Sequence, residues 1–399
     1  MDVKLVGKIT EGARAVISGK GGELTDEAAM EIIESYVLSD PRLALYPNAE
    51  RGSAVDRVFF ALRKDLDVLQ PYADDREVSE IMVNGKDDIF VEKHGKIEKI
   101  PAAFDRTEDL EEVIRRICAK VHREINELNP VVDARLEDGS RVNAVYKNIA
   151  INGPILTIRK FPEKAITMEM LIQNETITKE AAAFLEKLVV AGYNIFISGG
   201  TSSGKTTFLN VLSNYIPDDE RVIVIEDSAE LQIRKLRNIV RMECRNANVQ
   251  GKGQVDMQQL IKTSLRMRPD RIIVGEVRGK EVLDMIQAMN TGHDGSLSTG
   301  HGNSIEGMLR RLESMFLQAA NFPIEAIRSQ IAEGIDIIAH MGRLRDKSRK
   351  ILEIAEIQGF DGNKILLNQL FKYKLNTGLA RSGNEIYNRE KLELKGISA

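Results

Sequence analysis

The stretch "NIFISGGTSSGKTTFLNVLSNY" (residues 194–215) decides the fold of this chain. An apolar run typical of a buried strand leads into a glycine-rich loop, and a helical pattern follows directly. Gly199, Gly204, Lys205 and Thr206 fit the spacing G-x-x-x-x-G-K-[ST]. Glycines at these positions let backbone N–H groups surround phosphates, and the start of a helix favours negative charge. We therefore predict a phosphate-binding loop rather than an accidental glycine-rich turn.

Within this loop, Lys205 is expected to reach the β- and γ-phosphates of a nucleotide, and Thr206 is expected to ligate Mg²⁺. ATP and Mg²⁺ are therefore the expected ligands. The predicted nucleotide-binding residues are Gly199, Gly200, Thr201, Ser202, Ser203, Gly204, Lys205, Thr206 and Thr207.

The sequence around the loop alternates short apolar strands with helical stretches. After residue 178 it includes the helical "KEAAAFLEKLVVAG", the strands "RVIVIED" and "RIIVGE", and the helical "GKEVLDMIQAMNTG". This alternation predicts a parallel sheet with helices on both faces, which is an α/β domain. We assign this domain to residues 172–399, and its last part reads as a strand pair with an Asp-Gly turn.

The residues before this domain show two other patterns. Helical spacing of apolar residues predicts a small helical module over residues 1–70. Strands such as "EIMVNG" and "PILTIRKF", with Asn-Gly, His-Gly and Asp-Gly turns around a helical stretch, predict an α+β domain over residues 71–160. A proline among charged residues marks residues 161–171 as a linker.

Acidic residues follow two predicted strands, at the edge where parallel α/β sheets bind ligands. "RVIVIEDSAEL" carries Glu226 and Asp227, with Glu230 just beyond, and "RIIVGE" ends in Glu276. These carboxylates are expected to position Mg²⁺ or to polarise the attacking water. Gly275 stands where an Asp is usual, so Glu276 is expected to reach the metal through water. At least one of Glu226, Asp227 and Glu230 is expected to be catalytic, and the pattern leaves open which.

Two histidines lie in a segment rich in small residues, "TGHDGSLSTGHGNS" (residues 291–304). His301 closes the strand-like "SLSTGH", so the same topology places it near the γ-phosphate. We expect His293, a short turn upstream, to belong to the same sensor of the γ-phosphate. The other histidines and both cysteines are predicted to be structural: His94, His122, His340, Cys118 and Cys244.

Phosphoryl transfer also needs positive charge opposite the phosphate loop, often an arginine from a neighbouring domain or subunit. Arg135, Arg141 and Arg159 of the α+β domain are the candidates, and solvated strand positions are the alternative interpretation. The basic run "IRKLRNIVRMECR" has no interleaved aromatic residues that could stack on bases. We therefore expect no nucleic-acid partner.

The composition of the 399-residue chain excludes several classes of protein. Lys and Arg number 56 and Asp and Glu number 60, so the net charge of -4 gives no global attraction to nucleic acid or anionic lipid. The two cysteines are far apart in sequence, which argues against a four-cysteine zinc site, and we expect no zinc. The chain shows neither a secretory signal nor a bilayer-spanning apolar run, so a cytoplasmic location is expected.

Together these motifs resemble those of secretion-superfamily ATPases, and most closely those of Tad/Flp pilus assembly ATPases of the CpaF type. The similarity runs from about residue 79 to about residue 343. Its most specific stretches are "PVVDARLEDGSRVNAV", "GPILTIRKF", "GGTSSGKTT", "LRMRPDRIIVGEVRG" and "AMNTGHDGSLSTGHGNS".

The resemblance implies a RecA-like P-loop ATPase core that follows an α+β, PAS-like domain. Residues 226–230 would be the Asp box and "RIIVGE" would be Walker B, where glycine before the glutamate is usual. His293 and His301 would form the His box, in which Gly302 replaces an expected alanine. Arg135, Arg141 and Arg159 would complete the ATP site.

The resemblance also implies a homohexameric ring at the cytoplasmic face of the inner membrane. Such a ring docks on a membrane platform protein and uses ATP hydrolysis to move pilin subunits. A type IV secretion ATPase is the alternative within this superfamily. A hexameric nucleic-acid translocase and a nucleotide-binding switch with little turnover also remain open.

Overall fold

The structure is a computed structural model that describes residues 3–20, 24–136, 138–161, 166–245, 247 and 252–398. The chain divides into two compact units, residues 1–163 and 164–399. Part of the predicted linker, residues 162–165, lies outside the described residues. The helix Met168–Gln173 begins inside the remaining part, and Met168 and Leu171 are buried in the core of the second unit.

The first unit contains a helical module followed by an α+β domain. Its helices are α1 (Val3–Ser18), α2 (Asp26–Leu38), α3 (Asn48–Arg63), α4 (Gln70–Asp74) and α5 (Thr107–Lys120). Its strands are β1 (Val78–Asn84), β2 (Ile89–Lys93), β3 (Lys96–Lys99), β4 (Val131–Arg135), β5 (Arg141–Val145) and β6 (Ile155–Arg159). The strands form one antiparallel sheet in the order β3-β2-β1-β6-β5-β4.

The second unit is an α/β domain built around a larger sheet. Its helices are α6 (Met168–Gln173), α7 (Lys179–Ala191), α8 (Lys205–Ser213), α9 (Met257–Ser264), α10 (Val282–Asn290), α11 (Ile305–Ala319), α12 (Ile324–Gly334) and α13 (Glu390–Leu394). Its strands are β7 (Ile195–Gly199), β8 (Val222–Glu226), β9 (Ile239–Glu243), β10 (Arg271–Val274), β11 (Leu297–His301), β12 (Ile337–Arg343), β13 (Arg349–Phe360), β14 (Ile365–Lys374) and β15 (Gly378–Arg381).

The described strands of this sheet lie in the order β15-β14-β13-β12-β7-β11-β10-β8-β9. From β12 to β9 all neighbours are parallel, and β13, β14 and β15 continue the sheet in antiparallel fashion. The strand pair predicted around the Asp-Gly turn is present as β13 and β14, and β13 also extends the main sheet beside β12. The predicted fold class is confirmed.

Strand β7 lies inside the parallel part and is buried over its whole length. Ile195 and Ile197 pack into the hydrophobic cluster on one face of the sheet, and Phe196 packs into the cluster on the other face. This alternation follows from the two-residue period of a strand, and it explains why a central parallel strand has an unbroken apolar sequence. Helices on both faces thus hold the strand that carries the phosphate loop.

In the described part of the chain, no helix is both long enough and apolar enough to cross a membrane.

Candidate active site

The loop after β7 is shaped to hold phosphate. Ser202 and Gly204 adopt left-handed backbone angles, with φ of 57° and 97°, and Gly204 precedes α8 without a side-chain cap. The first N–H groups of α8 therefore remain available to an anion. A Cβ atom on Gly199 would lie 2.6 Å from both the Met341 carbonyl oxygen and Ser203 Oγ, so only glycine fits there.

Lys205 and His301 are in direct contact at this loop. The buried Lys205 ammonium donates to the Gly200 carbonyl oxygen at 3.0 Å, and Lys205 Nζ lies 3.2 Å from His301 Nδ1. On its other side, His301 Nε2 lies 2.8 Å from Glu276 Oε1. The three side chains thus form a continuous polar chain from the phosphate loop to the end of β10.

The charges around His301 favour its neutral form. Burial lowers the pKa of His301, the nearby Lys205 lowers it further, and Glu276 opposes both effects. Because Nδ1 faces an ammonium donor, we assign the ring proton to Nε2, where it faces Glu276. Burial also lowers the pKa of Lys205, and the Glu276 carboxylate only partly opposes this effect.

Glu276 has a second cationic neighbour. Arg278 Nη2 donates to Glu276 Oε2 at 2.8 Å, and Arg278 Nη1 lies 3.5 Å from Oδ2 of the exposed Asp227. Arg278 therefore links the carboxylates that follow β8 and β10. The sequence had indicated these carboxylates but had not indicated the arginine between them, although Arg278 stands only two positions after Glu276.

Glu226 has a different environment from Asp227. It is 4 % exposed, and its Oε1 accepts the backbone N–H groups of Glu230 at 2.8 Å and Leu231 at 2.9 Å. Burial raises the pKa of Glu226, and these two backbone hydrogen bonds oppose the rise. One carboxylate oxygen of Glu226 thus holds the backbone of the predicted Asp box in place.

The packing of Glu226 explains the glycine before Glu276. A Cβ atom on Gly275 would lie 3.1 Å from Glu226 Cγ and 3.6 Å from the Ile225 carbonyl oxygen. A side chain at position 275 would therefore press on Glu226.

The remaining loop residues fit a nucleotide with its Mg²⁺. Thr206 and Thr207 lie in the first turn of α8 and are half-buried, while Thr201 is exposed. Ser203 Oγ is buried and has no hydrogen-bond partner among the described residues, so a ligand could satisfy it. The described residues of the whole chain contain no group of three or more His, Cys, Asp or Glu side chains that could hold a metal ion. Mg²⁺ bound by one threonine, phosphates and water needs no such group.

His293 lies just after the preceding helix, farther from His301 than the short turn that the sequence had suggested. His293 precedes β11, its Nδ1 lies 3.1 Å from the Ala288 carbonyl oxygen, and His301 ends the same strand. Because β11 alone spans about 13 Å at 3.3 Å per residue, the two histidines lie beyond opposite ends of the parallel strands, His301 at the carboxyl end and His293 at the amino end. Their spacing in sequence suggested one segment, whereas a complete strand separates them.

The three candidate arginines of the first unit form one row. Arg135 is opposite Arg141 on neighbouring strands, and Arg141 is opposite Arg159. Directly opposed residues project from the same face of a sheet, so the structure brings these three side chains together. Like charges in opposed positions destabilise a strand pair, and Glu80, opposite Arg159, supplies one counter-charge.

Several arginines near the phosphate loop had no signal in the sequence. Arg349 Nε donates to the Ser202 carbonyl oxygen at 3.1 Å. An open groove of about 820 Å³ beside the loop is lined by Arg278, Arg310 and Arg311 together with His301. In the sequence, Arg310 and Arg311 indicate only the exposed face of a helix. Their position beside the phosphate loop depends on how α11 packs in the folded domain.

The parallel sheet, the phosphate loop and the carboxylates at the carboxyl edge of its strands define a P-loop nucleotide-binding protein. The chain belongs to the type II/IV secretion system protein family, whose model matches residues 63–371. The resemblance to secretion-superfamily ATPases is thereby confirmed.

Individual relatives differ in how much of their length the chain covers. It is 44 % identical over 252 residues to the uncharacterised protein MJ0781 of Methanocaldococcus jannaschii, which is 61 % of this chain and only 34 % of that relative. It is 33 % identical over 300 residues to the conjugal transfer protein TrbB of Rhizobium radiobacter, covering 73 % of this chain and 87 % of TrbB.

Among solved structures, the pilus retraction motor PilT with bound ADP is similar in fold. The TM-score is 0.54 at 20 % identity, over 83 % of this chain and 86 % of that chain.

Proposed function

We propose that this chain is a Mg²⁺-dependent ATP hydrolase that drives a secretion or pilus machine. The observation that carries the proposal is the contact chain of Lys205, His301 and Glu276 beside a phosphate loop of the required shape. Membership of the type II/IV secretion system protein family supports it.

Each of these side chains has a role that follows from its position. Lys205 turns from His301 towards the β- and γ-phosphates when ATP enters, because phosphate oxygens are stronger partners for an ammonium than a neutral imidazole. Glu276 orients the attacking water, and Arg278 holds its second oxygen. His301, released by Lys205, detects the γ-phosphate. Thr206 would ligate Mg²⁺, which neutralises charge that develops on the phosphates.

We further propose that Arg135, Arg141 and Arg159 complete the site in a homohexameric ring. Their alignment in one row supports this role, because a row of arginines suits a phosphate with several charged oxygens. In that arrangement Glu226, Asp227 and Glu230 form the acidic side of the site. His293, at the other edge of the sheet, would act only through contacts outside the phosphate loop.

The machine that we propose is a Tad/Flp-type pilus assembly system of the CpaF type. The chain would work at the cytoplasmic face of the membrane, docked on a platform protein, and would move pilin subunits. A type IV secretion ATPase is the second candidate, and the similarity to the conjugal transfer protein TrbB favours it.

The decisive experiment is steady-state ATP hydrolysis by the full chain and by two matched variants. Lys205→Ala is expected to lose at least a hundredfold in turnover, because a buried cation at the phosphates is lost. Lys350→Ala is the control, since Lys350 is equally buried at 7 % exposure but donates to the Asn174 carbonyl oxygen away from the loop. Unchanged turnover in Lys205→Ala would refute the proposal.

Three further outcomes decide among the alternatives. Tight ATP binding without phosphate release by the unaltered chain would indicate a nucleotide-binding switch. Severalfold stimulation by single-stranded DNA would indicate a nucleic-acid translocase. Membrane proteins that co-purify with Glu276→Gln in the presence of ATP would distinguish a pilus platform from a type IV secretion channel.

A further inference from the structure

A buried polar pair lies in the sheet directly behind the phosphate loop. Ser198 is the residue before Gly199, and His340 occupies the opposing position on the parallel neighbour β12. Ser198 is fully buried and His340 is 6 % exposed, and His340 Nδ1 lies 3.2 Å from Ser198 Oγ. A polar pair in the centre of an apolar sheet costs desolvation, so its presence needs a reason.

The same pair reaches the segment that follows His301. His340 lies on Ser198 Oγ, and a Cβ atom on Gly302 would come within 2.8 Å of the same oxygen. The Ser198 hydroxyl thus lies between His340 and the chain just beyond His301.

Gly302 makes this arrangement sterically feasible. A Cβ atom there would lie 2.8 Å from Ser198 Oγ and 2.9 Å from Met308 Cβ. The Gly302 N–H donates to the Gly199 carbonyl oxygen at 3.3 Å, and His301 is the register partner of Gly199. The glycine, found where the resemblance predicts alanine, lets the segment approach the loop strand as closely as the Ser198 hydroxyl requires.

We propose that Ser198, His340 and Gly302 form a positioning unit that holds the backbone of residues 301–303 against the phosphate-loop strand. The unit thereby sets where the His301 ring lies relative to Lys205. His340 itself is a positioning residue, because it acts through the backbone and touches neither Lys205 nor the phosphate loop. This inference rests on the proposed function for its kinetic consequence, but not for its structural consequence.

The alternative is that His340 only satisfies the buried Ser198 hydroxyl. The two roles are separable because removing both partners of a buried hydrogen bond restores stability, whereas removing one leaves an unsatisfied group. His340→Leu leaves the hydroxyl of Ser198 alone, and Ser198→Ala/His340→Leu removes both partners. Both variants replace the imidazole behind Ser198 by an aliphatic side chain. Ser298→Ala is the control, since Ser298 is also fully buried in the sheet, but its hydroxyl has no hydrogen-bond partner in the described part of the chain.

Three quantities are measured on the full chain: thermal unfolding, the kcat and KM of ATP hydrolysis, and amide hydrogen exchange at Gly302. We expect the double variant to melt near the unaltered chain. In both His340 variants kcat falls about fivefold with KM changed less than twofold, and Gly302 exchange accelerates about fivefold, the factor for one buried neutral hydrogen bond. Ser298→Ala retains the kcat, the KM and the Gly302 exchange rate of the unaltered chain.

If the double variant recovered both its stability and its kcat, His340 would serve only to satisfy the Ser198 hydroxyl, and the inference would be overturned. Exchange at Gly302 that stays at its original rate in both His340 variants would overturn it as well. If the unaltered chain hydrolyses no ATP, the proposed function fails, and the exchange at Gly302 still decides whether the positioning unit exists.

Discussion

Substitutions at Glu226 test whether the acidic residue that ends β8 is a catalytic base or a support for the loop that follows it. The structure favours support, because Oε1 of Glu226 already accepts two backbone N–H groups, from Glu230 and Leu231. Glu226→Gln keeps a carbonyl oxygen for these donors, whereas Glu226→Ala leaves both donors without their partner. Both variants remove the negative charge, so they differ in whether the backbone of Glu230 and Leu231 keeps its hydrogen-bond acceptor.

The size of the effect follows from the two hydrogen bonds. A hydrogen bond to a charged acceptor contributes about 1.5–3 kcal/mol, and burial of the carboxylate cancels part of the sum. We expect Glu226→Ala to lower the free energy of unfolding of the second unit by about 2–4 kcal/mol, and Glu226→Gln to lower it by about 1 kcal/mol. Because burial raises the pKa of Glu226, the folded state binds its proton more tightly than the unfolded state does. The contribution of Glu226 protonation to stability is thus fully present below the ordinary pKa of 4.5 and is lost as the pH rises through the folded value, and Glu226→Gln removes this contribution.

The assay combines urea unfolding at several pH values with amide exchange over residues 228–236 and with ATP hydrolysis. We expect the amides of Glu230 and Leu231 to exchange faster in Glu226→Ala, and Glu226→Gln to keep hydrolysis within a few-fold. A hundredfold loss of hydrolysis in a stable Glu226→Gln protein would refute this reasoning and identify Glu226 as the base. Unaltered stability and exchange in Glu226→Ala would refute the support role.

Other positions lead to three more predictions. Asp67 is buried, one of its oxygens has no partner in the described part of the chain, and burial raises its pKa from 3.8 to about 6. The contribution of protonated Asp67 to stability is therefore lost as the pH rises from about 4 to about 6. Asp67→Asn should stabilise the first unit at pH 7 by up to about 3 kcal/mol, measured by urea unfolding. If the free energy of unfolding of Asp67→Asn varied with pH as it does in the unaltered chain, this prediction would be contradicted. Gly275→Asp should destabilise the second unit by about 1–3 kcal/mol, because its Cβ would press on Glu226. A variant that unfolds at the same temperature as the unaltered chain would count against this packing. Arg159→Ala should abolish hydrolysis while ATP binding persists, as measured by calorimetry; full turnover would exclude Arg159 from the site.

Much of the second unit could be predicted because its signals are local. The phosphate loop is a contiguous motif, and the apolar runs of β7, β8 and β10 identify buried parallel strands. The rule that ligands bind at the carboxyl ends of such strands then placed Glu276 and His301 at the correct edge. Local patterning and one topological rule were sufficient for this part of the site.

The contacts within the site could not be predicted in this way. β7 pairs with β11 and β12 rather than with β8, the next strand in sequence, so the neighbours of the phosphate loop come from about 100 and 140 residues further along the chain. The contact between Lys205 and His301 depends on that pairing, as does the position of His340 behind Ser198. The separation of His293 from His301 was missed for a related reason, since closeness in sequence does not reveal that a complete strand lies between two residues.

The sequence by itself determined that this protein has a phosphate loop on an α/β sheet, because glycine spacing and hydrophobic periodicity act over a few residues. Only the tertiary structure decided which side chains touch one another there. Strand order and register brought Arg159 into one row with Arg135 and Arg141, and packed Glu226 against Gly275, where a side chain would press on it. These outcomes depend on contacts between distant segments, whose positions are decided by the packing of the entire sheet.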